Sequence, residues 1–307
     1  MPIRRTYLRL TVLMLVGAFT LSLNAENEEQ RAVPGNPLKG AKKGVDELGR
    51  YFDNLFATEL PFIGPNTVWE FDISPKFGDV IDDPYIRLPL EATYGFSETL
   101  EASLGYTPYL ENPFDSDPVH SDGYLSLGFK KRFAELFGEK SNLAVGASVR
   151  EPLDDIPEQN IRANYLLFRP FVVYSLQLGD TDRWTAYWNV NYDLIGDHID
   201  DTPPPGRVPD SLFSLKQGVI YKIEGEWRCS LELEYQTTRM DGEEDDQWVI
   251  RPGVTWFPSE KRREAWFIPG DYSVGVTFGI ALDQLNEHRD RSDFRTSVRF
   301  RWRFRAK

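Results

Sequence analysis

Three histidines and one cysteine are the chain's whole stock of the side chains most used for general-base, thiol and soft-metal chemistry. His120 lies in Val119-His-Ser-Asp-Gly123, where Ser121 beside it suggests a nucleophile and its base. Adjacent loop residues do not readily make the hydrogen bond that such a pair needs. His198 and His288 stand in Asp-His-Ile-Asp and Glu-His-Arg. Asp241-Gly-Glu-Glu-Asp-Asp246 and Asp197-His-Ile-Asp200-Asp201 gather hard oxygen ligands. Neither has the spacing of an EF-hand loop, so the first reading is a solvated acidic loop and the second a weak site for Ca²⁺ or Mg²⁺. No Gly-rich phosphate loop, Cys-x-x-Cys pair or His-Glu-x-x-His segment occurs, so no catalytic, cofactor or fixed metal site is assigned.

The strongest pattern is at the C-terminus. In Phe294-Arg-Thr-Ser-Val298-Arg-Phe300-Arg-Trp302-Arg-Phe304-Arg305, Arg299, Arg301, Arg303 and Arg305 alternate with apolar residues. A period of two sets the arginines on one face of a β-strand and the aromatics on the other. A soluble sandwich could hold this strand with its arginines in water. A transmembrane β-barrel would hold it with the arginines in a wet lumen and the aromatics in lipid. A register slip of one residue would bury the ladder in lipid at ~2–4 kcal/mol per arginine.

Something must position that strand, and the ends and composition narrow the choice. Arg4, Arg5 and Arg9, the apolar stretch Leu10–Leu23 and Leu23-Asn24-Ala25 read as a signal peptide over 1–25. An uncleaved anchor is the alternative, although the stretch is short for a spanning helix of ~20 residues. Removing three arginines leaves 32 Lys+Arg against 48 Asp+Glu, so the mature charge is -16 and no nucleic-acid partner is expected. Cys229 is single and in phase with Trp227, Leu231, Leu233 and Tyr235, which suits a small buried or lipid-facing side chain.

Residues 26–66 form a leader in which 38–57 reads as a short amphipathic helix, with Val45, Leu48, Phe52 and Leu55 on one face. It would pack on a barrel rim or, alternatively, plug the lumen. From 67 to 307 the pattern is β throughout. The expected strands are 67–77, 85–95, 99–109, 123–133, 141–150, 161–177, 183–195, 211–224, 226–239, 247–257, 271–283 and 293–305. Connections after even strands are short, such as Gly95-Phe-Ser-Glu98, and those after odd strands are longer or more acidic, such as 196–210. The segment 258–270 departs from this pattern by being long. Pro75, Pro89, Pro170 and Pro252 fall inside expected strands, where each removes a ladder hydrogen bond. Bulges or earlier strand ends could absorb them.

The fold expected is all-β: a closed antiparallel transmembrane barrel of about twelve strands. Its lumen-lining set would be Glu70, Asp72, Glu91, Glu101, Arg150, Arg162, Asn189, Asn191, Asp193, Lys216, Glu232, Glu234, Arg299, Arg301, Arg303 and Arg305. Arginines of the last strand should reach Glu70 and Asp72 of the first across the closing seam. Trp69, Trp184, Trp227, Trp248, Trp256 and Trp302 near strand ends suit interfacial belts, although aromatics could instead fill a sandwich core.

The signal, the alternating strands and the aromatic strand Val298-Arg-Phe300-Arg-Trp302-Arg-Phe304 resemble Gram-negative outer-membrane β-barrel proteins. Within that class the chain looks most like the twelve-stranded barrels named for meta-pathway phenol degradation. That resemblance implies an outer-membrane location and passive transport of a small hydrophobic compound. It implies outer-membrane lipid and the barrel-assembly machinery as partners; the acidic outer loops themselves suggest divalent cations bridging lipopolysaccharide as a second reading beside plain solvated loops. Barrels of this class usually end on the terminal aromatic, whereas Arg305-Ala-Lys307 follow Phe304 here. The twelve-stranded outer-membrane phospholipases carry His-x-Ser-Asn-Gly, which this chain lacks. The reading is a channel or transporter for a small solute, not an enzyme; the alternative is a structural or surface-interaction barrel without transport.

Overall fold

The computed structural model describes residues 60–61, 68–78, 85–111, 113–114, 118–154, 164–179, 183–198, 210–223, 226–238, 246–265, 271–281 and 294–305. The chain divides into two units, Met1–Gly49 and Arg50–Lys307, and all described residues belong to the second. The expected helix over 38–57 and the signal segment lie outside the described residues.

Alternating patterns produce extended segments: β1 Val68–Ile73, β2 Lys76–Gly78, β3 Tyr85–Arg87, β4 Leu90–Gly95, β5 Leu100–Glu111, β6 Val119–Ala134 and β7 Ser141–Pro152. After them come β8 Tyr165–Leu178, β9 Trp184–His198, β10 Ser211–Lys222, β11 Trp227–Thr237, β12 Asp246–Trp256, β13 Asp271–Ala281 and β14 Phe294–Arg305. Each segment pairs antiparallel with its neighbour, and β1 pairs with β14, so the sheet closes on itself. The closed ring has twelve strands, because β1 with β2, and β3 with β4, are halves of single strands interrupted at Ser74-Pro75 and Leu88-Pro89.

The prolines interrupt pairing without moving it. Ile73 faces Phe300 and Lys76 faces Ser297, one continuous register across Pro75. The carbonyls stay in use: Val298 N donates to Pro75 O at 3.0 Å and Ser74 N to Pro89 O at 3.0 Å. Around Pro170 the β8–β9 register runs from Phe168↔Leu194 to Phe171↔Asn191 unshifted. Around Pro252 the β12–β13 register runs from Ile250↔Ile280 to Gly253↔Thr277, and Thr277 Oγ1 donates to Pro252 O at 2.7 Å. A missing N–H therefore costs one rung, not the strand.

Several strand ends differ from the sequence reading by a few residues, and for β6 the reason is local. β6 starts at Val119, not 123, because a bulge carries it past Gly123. There the register shifts between Thr107 and Tyr109, and Gly123 adopts φ 62°. A Cβ at Gly123 would meet Thr107 O at 1.8 Å, so only glycine fits the bulge. The segment 258–270, long as expected, contains α1, Glu260–Ala265, whose first turn closes on Ser259 O, the acceptor of Arg262 N and Arg263 N at 3.0 Å.

Val68 faces Arg305, so the strand ends nearest both termini share one rim, here the near rim, with the 96–99, 135–140 and 179–183 turns. The strand ends that lead into 112–118, 153–164 and 199–210 lie at the far rim.

Candidate functional site

The register sorts side chains into two faces. On one lie large apolar residues open to the surroundings, among them Leu104 at 58 % exposed, Leu231 at 51 % and Val172 at 44 %. On the other lie polar residues withdrawn from solvent, among them Asn189 at 0 %, Glu232 at 1 % and Asp193 at 2 %. In a closed ring the withdrawn face is the inner one. Cys229, between Tyr221 and Val254, is on the outer face with Leu231.

One rung of cross-strand partners shows how the inner face is built. Arg301 faces Asp72, Asp72 faces Glu91, Glu91 faces Gly105, Gly105 faces Ser126 and Ser126 faces Arg150. Directly opposed residues share a face, so Asp72, Glu91, Arg150 and Arg301 all point inward. Glu70, facing Thr93 and Arg303, lies two residues from Asp72 on the same face. Two further rungs join Asn191 to Ser214, and Asn189 through Lys216 to Glu234. Glu232 faces Gly218 and Arg251 on that same side. Glu101 faces Lys130, and Asp193 faces Leu212. Arg303 and Arg305 are placed by register alone, opposite Glu70 and Val68, and Arg162 lies outside the described residues.

Most inner charges are matched. Across the seam Arg301 Nε lies 3.2 Å from Glu70 and 3.0 Å from Asp72, and Arg299 lies 3.6 Å from Asp72. The small residues Ser273 and Gly275 opposite Arg301 and Arg299 leave room for both guanidiniums. Arg169 grips Asp193 with two bonds of 2.5 and 2.7 Å. Lys130 pairs with Glu101 at 2.5 Å, and Glu234 accepts Arg251 at 2.5 Å and Lys216 at 3.3 Å. Such a lining is a mosaic of both signs that crowds the bore while keeping it polar. Sequence reasoning missed Arg169, Arg251, Lys130 and the tyrosines Tyr85, Tyr109 and Tyr124. Strand parity would have found them once the register was known.

The chain ahead of the first strand also touches this face. Leu60 packs on Tyr187 and Ile220, both fully buried inner residues near the near rim, and Pro61 is likewise fully buried. That wall is formed by β9 and β10, far around the ring from β1.

Ser121 and His120 do not form a catalytic pair. Ser121 faces Tyr109 on the inner side, and its hydroxyl accepts from Gly123 N at 3.0 Å. His120 is its neighbour on the same strand and takes the opposite face. Of the acidic clusters, Asp241–Asp245 and Asp200–Asp201 lie outside the described residues.

The COG4313 outer membrane channel from Pseudomonas putida F1 superposes with a TM-score of 0.60 at 14% identity, covering 81% of this chain and 100% of that one. The fold is that of an outer-membrane β-barrel channel. The NanC porin matches with a TM-score of 0.49 at 11% identity over 78% and 100%, and the KdgM porin with 0.48 at 10% over 76% and 99%. No family model matches the sequence, and no curated protein matches it.

Proposed function

We propose that this chain is a passive channel of the bacterial outer membrane for a small polar solute. The observation that carries this is the inversion of the usual globular pattern. The residues withdrawn inside are charged, and those displayed outside are Leu, Val, Phe and Ile. Contiguous apolar surface of this extent needs an apolar solvent.

Aromatic pairs edge that surface. Toward the near rim stand Trp69–Tyr94 at 4.8 Å, Trp184–Tyr221 at 4.5 Å and Trp227–Trp256 at 6.4 Å. Toward the far rim stands Tyr235–Trp248 at 4.6 Å. From Trp227 to Tyr235 a strand tilted by about 40° rises about 20 Å. That approaches the apolar band of about 25 Å expected of outer-membrane barrels. The short-turn rim with both termini would then face the periplasm, and the far rim the outside.

Inside, no carrier cycle is needed. A solute would diffuse along a polar wall whose charges are mostly paired. A twelve-stranded ring lies between eight-stranded barrels filled by side chains and sixteen-stranded ones that leave a wide aqueous channel. The bore is therefore narrow and its side chains set what passes.

Reconstitution of the folded mature chain into planar bilayers tests the reading. Discrete conductance steps are expected. A correctly folded, inserted barrel that passes neither ions nor small solutes would instead favour a structural or surface-interaction role.

A further inference from the structure

We propose that Lys76 and Arg87 form an oxyanion site on the inner wall, taking the carboxylate or phosphate of a solute in transit. This deepens the channel reading and rests on it for its physiological role.

Lys76 and Arg87 sit directly opposite each other on adjacent strands, on the inner face and toward the far rim. Directly opposed side chains have Cβ atoms about 4.5–5.5 Å apart, and like charges in that position repel. Elsewhere on this wall a carboxylate answers the cation, as Asp193 answers Arg169 and Glu234 answers Lys216 and Arg251. Among the described residues, neither Lys76 nor Arg87 pairs with a carboxylate. The surroundings add to the positive field instead: Arg87, Arg299, Arg251 and Lys216 all act on the Lys76 ammonium. Two of these, Arg251 of β12 and Lys216 of β10, come from strands three and five places around the ring.

Arg87 supplies a second, independent sign. Its Nε is buried and has no acceptor of its own, while the rest of the guanidinium bonds the Tyr109 side chain. A guanidinium has a fork of donors in one plane, matched to the two oxygens of a carboxylate or phosphate. The phenols of Tyr85, Tyr109 and Tyr124 stand around it, with Tyr109 directly opposite and ring centroids 6.5 and 6.3 Å apart. Arg150 lies over the Tyr124 ring at 4.8 Å and adds another guanidinium beside the cluster. Aromatic walls of this kind keep the arginines extended and lower the local dielectric, which strengthens their pull on an anion. An oxyanion between Lys76 and Arg87 would relieve their repulsion and satisfy the orphaned donor together.

The test uses the full mature chain folded in detergent, titrated with benzoate and, separately, with inorganic phosphate, by calorimetry. Saturable binding of at least one is expected. Lys76→Gln with Arg87→Gln should weaken it at least tenfold, while Lys76→Arg keeps it and Lys222→Gln leaves it unchanged. Heat-modifiable gel mobility shows that each variant is folded. Preference between the two probes tells carboxylate from phosphate. In bilayers the double variant should shift the reversal potential in a KCl gradient toward cations. No saturable binding, or equal binding by the double variant, overturns the site. Binding without any conductance would sink the channel reading and leave the site standing.

Discussion

Arg301 of the last strand donates to Asp72 of the first at 3.0 Å, and the same guanidinium lies 3.2 Å from Glu70. One side chain thus ties two carboxylates across the seam where the chain's two ends must find each other. All three are largely withdrawn from solvent, with side-chain exposures between 8 and 15%. The contact is worth more than an exposed pair, because charge-assisted hydrogen bonds in such places contribute ~1.5–3 kcal/mol.

Asp72→Asn should therefore lower stability by about 1.5–3 kcal/mol while leaving the register intact. Urea unfolding of the barrel in lipid vesicles measures this. A loss comparable to that of an exposed pair, below ~0.5 kcal/mol, would show that water screens the seam.

The outer face makes a sharper demand. Leu231, 51 % exposed, projects outward between inner residues Ser230 and Glu232. Leu231→Arg should cost ~2–4 kcal/mol if lipid surrounds it near the midplane. The same unfolding experiment in a non-lipid amphipol gives the comparison. Equal stability of variant and parent in vesicles would mean that this face does not meet acyl chains.

At the near rim, Glu226 holds the α1 segment. Its carboxylate accepts Ser259 N at 2.7 Å and Trp256 Nε1 at 2.8 Å, and Arg262 lies 3.3 Å away. The Ser259 hydrogen bonds pull its pKa down from 4.5 to about 2. A depressed acid contributes stability above its unfolded value and loses it on protonation. The clasp is thus complete at pH 7 and weakens as pH falls from about 4.5 through about 2. Protease cleavage after Lys261 or Arg262, assayed on samples pulsed at each pH, should rise across that window. Glu226→Gln should cleave readily and without pH dependence; a flat profile in the parent would refute the clasp.

Gly123 carries the bulge that lets β6 pass Pro108. Gly123→Ala meets Thr107 O and a left-handed φ together. The conformation alone costs ~1–2 kcal/mol, and the clash adds to it. Lower refolding yield and an earlier urea midpoint are expected. Wild-type behaviour would mean that the bulge relaxes into another register.

Leu60 brings the leader onto the inner wall. Leu60→Asp removes an apolar side chain worth about 1.5–3 kcal/mol of burial from Tyr187 and Ile220. Single-channel conductance should increase, with Leu60→Met unchanged. Unaltered conductance in both would show that this contact anchors the chain without narrowing the near mouth.

The sequence alone determined which residues share a face. The two-residue period of a strand is local, so Arg299 and Arg301 had to oppose Phe300 and Trp302 whatever the rest of the chain did. It also determined the closed ring in outline, since an apolar exterior with a charged interior admits few other solutions. The seam contact of the last strand's arginines with Glu70 and Asp72 was legible too, because strand parity and ring closure together bring those faces side by side. Tertiary structure decided the other partners: that Arg169 meets Asp193 and that Lys76 is left facing Arg87 depend on stagger between strands. Stagger comes from closing the ring and from bulges such as Gly123, which no single strand encodes. The prolines show the same division: their positions were legible, but whether Pro75 ended its strand or only dropped a rung depended on how firmly the neighbouring strands kept the register.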